Sequence, residues 1–100
     1  MARPNPNPVP TKDTALYGIA AVSANDIWAV GAGNFSTVSG TATLIEHWDG
    51  TSWTIVSSPD PGTATNALVA VTALSDGTVV AVGNQEDSTT GVISPLIVQN

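Results

Sequence analysis

The residues best suited to chemistry lie in one short stretch, Glu46-His47-Trp48-Asp49, with Trp53 close behind. An imidazole flanked by carboxylates has the parts of a general base with an acid partner, and two nearby indoles would make a wall for a sugar ring. Strand geometry works against the first idea, because alternate side chains point to opposite faces: Glu46 and Trp48 to one, His47 to the other. His47 is also the only histidine, and there is no cysteine. A zinc site would need further imidazole or thiolate ligands. A structural or surface role for His47 is therefore favoured. No catalytic, metal-binding or cofactor-binding residue is assigned, no cofactor is expected, and neither is an enzyme. The residues held open for ligand binding are His47, Trp48, Asp49 and Trp53.

The other polar candidates read as turn chemistry. Asp26, Asp49 and Asp76 each neighbour Asn or Gly, where a carboxylate accepts hydrogen bonds from nearby backbone amides. Trp28, Trp48 and Trp53 read as large packing residues before they read as a stacking shelf. The Ser, Thr and Gly-rich segments at 34–40 and 86–91 are the best available binding loops, with plain hairpin connections as the simpler interpretation.

The elements that position these residues come from a duplication. Leu16–Gly31 aligns without gaps on Leu68–Gly83, an offset of 52 residues. Leu16/Leu68, Ala21/Ala73, Ser23/Ser75, Ala29/Ala81, Val30/Val82 and Gly31/Gly83 are identical pairs, and the same offset places Leu44-Ile45 on Leu96-Ile97. Repeats near this length mark stacked or radial architectures. Within the first unit, strands are expected at 16–22, 27–31, 41–48 and 52–57. A turn is expected at Ser23–Asp26, a hairpin at Asp49-Gly50 and a stop at Pro59-Asp60-Pro61. The second unit repeats three of these strands at 68–74, 79–83 and 92–99. No stretch has a 3.6-residue apolar period, so no helix is expected. The inner strands are apolar on both alternations, which predicts sheets covered on both faces.

Taken together, Ser23-Ala-Asn-Asp-Ile-Trp-Ala-Val-Gly31, Leu44-Ile-Glu-His-Trp-Asp-Gly-Thr-Ser-Trp53 and Ser58-Pro-Asp-Pro61 resemble the tandem repeats of bacterial kelch-like or WD40-like β-propellers. The resemblance spans Leu16 to Asn100 and is sharpest in the first unit; in the second, Trp28 becomes Val80 and Glu46-His47-Trp48 becomes Val98-Gln99-Asn100. It implies an all-β chain of two four-stranded antiparallel blades. Residues 1–15 would be a Pro-rich lead-in carrying the end of an outer strand, 16–62 the first blade, and 63–100 a second blade lacking most of its outer strand.

Composition fits a chain that is covered by copies of itself. Charged residues make up 10 % of it, against about 25 % in ordinary domains. The expected partners are copies of the chain, closing a ring by homo-oligomerisation. Four chains and eight blades are favoured, with three chains and six blades next. The expected function is structural self-assembly. The alternative is a carbohydrate- or peptide-binding module that uses the loop faces or a central channel. A net charge of −6, with only Arg3 and Lys12 as cations, excludes the clustered basic surface that nucleic acid or an anionic membrane requires. The N-terminus lacks the apolar stretch of a signal peptide, and the expectation is a soluble chain of unassigned compartment.

Overall fold

The computed structural model describes residues 14–33, 41–56 and 65–99. Residues 1–13 of the expected lead-in, the 34–40 loop and the Pro59–Pro61 stop lie outside them, and the lead-in's last two residues, Thr14 and Ala15, instead open β1 because both pair with β2. The described residues are all-β, in two antiparallel sheets without helix. The first sheet runs in chain order through β1 (Thr14–Ser23), β2 (Asp26–Gly33), β3 (Ala42–Trp48) and β4 (Trp53–Val56). The second comprises β5 (Thr65–Ala73), β6 (Val79–Glu86) and β7 (Ile93–Gln99).

The turns follow from residues that tolerate them. Gly50 and Gly77 have φ of 99° and 90°, a region closed to most side-chain-bearing residues. Beside each sits the aspartate expected there. Asp49 Oδ1 accepts hydrogen bonds from the Thr51 and Ser52 amides, both at 2.9 Å, and Asp76 Oδ1 accepts one from the Thr78 amide at 2.9 Å. The 86–91 loop is held by its own contacts: Asp87 Oδ1 accepts from the Thr89 amide at 2.7 Å, and the Gly91 amide donates to the Asp87 carbonyl at 2.8 Å.

The duplication extends to the register. In the first sheet Leu16 pairs with Gly31 and Gly18 with Val30, so Tyr17 is bulged out; in the second, Leu68 pairs with Gly83 and Ala70 with Val82, so Val69 is. On the other side Val30 pairs with Ile45 and Val82 with Ile97. The bulge explains the repeated glycine. A Cβ on Gly31 would lie 1.8 Å from the Ala15 carbonyl oxygen, and one on Gly83 would lie 1.8 Å from that of Ala67. No side chain fits there.

The two sheets pack front to back. Cross-strand partners share a face, so Trp28, Val30, Ile45, His47 and Val56 lie on one face of the first sheet. That face meets Leu68, Val71, Ala81, Leu96 and Val98 of the second, and the shared core joins Val30, Ile45, Leu68, Ala81 and Leu96. The second set corresponds by repeat position to Leu16, Ile19, Ala29, Leu44 and Glu46, the opposite face of the first sheet. A sandwich related by a two-fold would instead oppose like faces. The sheets approach most closely along β1 and β5, where a Cβ on Gly18 would stand 3.2 Å from the Ala70 Cα. At β3 and β7 they splay around a cavity of about 130 Å³. A polar clasp ties the start of β3 to β5. The Asn66 amide and side-chain Nδ2 both donate to the Thr41 carbonyl, at 2.9 and 3.2 Å.

Coverage on both faces is not complete within one chain. The second sheet's outward face exposes Val82 (40 %) and Ile97 (69 %), and β1 exposes Leu16, Tyr17 and Ile19. On the far face of the first sheet Ala29, Leu44 and Glu46 are nevertheless buried.

Candidate functional site

Strand β2 places Asp26 and Trp28 two residues apart, hence on one face. Directly across the ladder from Trp28 is His47 on β3. These three side chains form one unit. The indole Nε1 donates to Asp26 Oδ1 at 3.0 Å, and His47 Nε2 lies 2.7 Å from the same oxygen. The imidazole stacks on the indole with ring centroids 4.2 Å apart and planes tilted by 31°. One carboxylate oxygen thus gathers both rings.

The fixed indole has a further consequence. Trp28 packs against the shared core and forms one wall of the cavity between the sheets. The opposite wall is Val71, Ala81 and Val98, while Gln99 stands at the β7 end. The lining is aliphatic apart from the indole and Gln99. Chemically, the arrangement offers an apolar slot whose aromatic wall is locked by a carboxylate and an imidazole. Thr54, across from His47, gives its hydroxyl to the His47 backbone carbonyl at 3.5 Å rather than to the ring. Among the described residues no group of three or more His, Cys, Asp or Glu is placed to hold a metal ion.

The four residues held open for ligand binding do not converge. His47 shares the face of Trp28, behind the indole, whereas Trp48 and Trp53 pair across β3 and β4 on the other face, with ring centroids 5.8 Å apart and planes tilted by 49°. Asp49 is exposed and occupied by its turn. The Ser52 amide, then the Thr51 amide, hold its carboxyl below the ordinary value of 3.8. The Thr78 amide, followed by the Thr78 hydroxyl, does the same for Asp76.

One reading needs correction. Asp26 does not serve its own turn; its carboxylate binds the Trp28 and His47 side chains, because the turn's short span leaves it at the head of β2 facing the splayed side. Trp28, read as a large packing residue, does fill the gap between the sheets, but it is half-buried because that gap is open. The trio was legible in one signal: Asp26, Trp28 and His47 are replaced together in the second unit, by Thr78, Val80 and Gln99.

Comparison of the chain with family models, with curated proteins and with solved structures returned no match.

Proposed function

We propose that the chain is a structural self-assembly module, a pair of propeller-like blades that continues its front-to-back stacking into further copies of itself. One observation carries this reading. Val30 and Ile45 are 1 % and 6 % exposed because the second sheet covers them, while Val82 and Ile97, at the same repeat positions, are 40 % and 69 % exposed. At Val82 and Ile97 the second sheet repeats the apolar centre of the first sheet's docking surface, without a neighbour among the described residues. Contacts of this head-to-tail kind generate rings when the rotation closes, and the splay from β1–β5 towards β3–β7 gives each step a wedge. The wedge, the four-stranded meander and the resemblance to kelch-like or WD40-like repeats support a closed propeller, with four chains favoured over three. Exposed apolar area of this kind marks association surfaces.

Native mass spectrometry tests the reading. Four chains of 10.1 kDa give a mass of about 40 kDa and three give about 30 kDa. Dilution should lower the melting temperature of such an assembly, since its stability depends on protomer concentration. A monomer with a concentration-independent melt would overturn the proposal and leave the Val82–Ile97 face to another partner. The Trp48–Trp53 pair motivates a second reading, carbohydrate binding by stacking on the far face; a glycan array on the protein separates the two.

A further inference from the structure

We infer that the β7 edge, together with the cavity beside it, is an acceptor site for an extended strand from another polypeptide chain, with an isoleucine-sized side chain inserted between the sheets. Two independent observations meet at this place. The first is the free edge: β3 is flanked by β2 and β4, whereas β7, its counterpart, pairs only with β6 among the described residues. The second is the cavity, which lies alongside that edge, with Val98 and Gln99 of β7 on one side and Val56 and Trp28 on the other.

The repeat supplies the register of the incoming strand. In the first sheet Val56 pairs with Ile45, Ile55 with Glu46, and Thr54 with His47. Shifted by 52 positions, these acceptors become Ile97, Val98 and Gln99. Val98 faces the first sheet, so the residue opposite it, in the place of Ile55, points into the cavity. Its neighbours, in the places of Val56 and Thr54, point outward. A cavity of about 130 Å³ is comparable with engineered apolar cavities of roughly 150 Å³ that hold a benzene, so an isoleucine side chain fits it. The aliphatic lining disfavours a charged residue.

Pro95 agrees with this register. It lacks an amide proton and blunts an edge strand, but it stands at the position of Thr43, outside the stretch that β4 covers. The edge is closed to pairing at Pro95 and, among the described residues, open at Ile97–Gln99. The partner is therefore short, extended and uncharged at the cavity position, which is strand addition by main-chain pairing with one side-chain anchor.

A synthetic peptide with the sequence of residues 49–57, added to the isotope-labelled full chain, tests the site by NMR. Saturable shifts are expected at Ile97, Val98, Gln99 and the Trp28 indole proton. The peptide carrying Ile55→Asp should bind at least about tenfold more weakly. Because only the peptide differs between these arms, folding of the protein is not in play. Equal binding of the two peptides, shifts confined to another strand edge, or no binding would overturn the inference. Native mass measured without peptide reads self-association separately, so the two proposals fail independently.

Discussion

The two sheets of this chain share a register down to the bulge, yet their exposed surfaces and side-chain networks differ. The backbone-defining residues are kept: Leu16/Leu68, Gly31/Gly83 and Ala29/Ala81 hold the inner strands in both. The Asp26–Trp28–His47 trio exists only in the first sheet. That sheet lines the splayed side of the junction, where a locked indole packs beside the cavity; Val80, on the second sheet's outward face, has no such gap to fill among the described residues. The lesson is that backbone geometry constrains the duplicated positions independently of neighbours, whereas the large polar-aromatic residues answer to what packs against that face.

The largest effect should come from the shared element. Gly31→Ala and Gly83→Ala each drive a Cβ to 1.8 Å from a backbone carbonyl oxygen, and a rigid ladder cannot yield by the required ångström. Each should cost more than about 3 kcal/mol in chemical denaturation, the upper end for overpacking. Gly77→Ala, with nothing within 4 Å but φ at 90°, should cost nearer 1 kcal/mol. If Gly31→Ala and Gly83→Ala differ strongly, the equivalence of the two bulges is broken.

Next in size are residues that distinguish the sheets. Trp28→Ala should destabilise by about 3 kcal/mol, the low end for an aromatic core residue because the site is only half-buried. Val80→Ala at the equivalent position should cost less than about 1 kcal/mol, and Trp53→Ala, on short β4, should fall below Trp28→Ala. Thermal melts of the three variants check the order. A Val80→Ala variant as damaging as Trp28→Ala would mean that the second sheet's outward face is already covered.

The strands were legible because their signals are local. Short apolar runs and turn residues located the seven strands of the described residues to within a few residues at their ends, and the offset of 52 matched the strands of one sheet to those of the other. The front-to-back packing was less visible, since apolar residues on both alternations say that both faces are covered and not which face meets which. The Asp26 contact was missed for a related reason. An aspartate before a strand reads as turn chemistry, and its partner on β3 lies 21 residues away. Only the joint loss of Asp26, Trp28 and His47 in the second unit carried that information, and one repeat pair is a thin alignment.

A smaller effect tests whether the trio acts together. Asp26→Ala and His47→Ala should each weaken the fold modestly. Their double-mutant cycle should return a coupling of about 0.5–1 kcal/mol, as for a partly exposed charge-assisted contact. Indole exchange at Trp28 Nε1 should accelerate in both single variants. Additive losses would reduce the 2.7 Å contact to coincidence.

The smallest effect belongs to two hairpin turns, one in each sheet, that the repeat does not relate: Asp49 between β3 and β4, and Asp76 between β5 and β6. Asp49 and Asp76 are fully exposed, and both titrate below the ordinary 3.8 because backbone amides donate to the ionised carboxylates. A carboxylate whose folded value is lowered stabilises the fold in full above its unfolded value. That contribution is lost as pH falls through the lowered folded value. The turns should therefore hold unchanged from neutral pH to about pH 4 and loosen below it, starting near 3.8. Amide protection at Thr51, Ser52 and Thr78, taken relative to the intrinsic exchange rate at each pH, reads this directly, and a loss of protection is expected only in the acid limb. Asn at either position keeps a side-chain oxygen acceptor without the titrating charge. Asp49→Asn should thus remove the acid-dependent step at Thr51 and Ser52 while leaving that at Thr78 in place, and Asp76→Asn should do the reverse. A step that persists at Thr51 in Asp49→Asn would assign the acid response to another group.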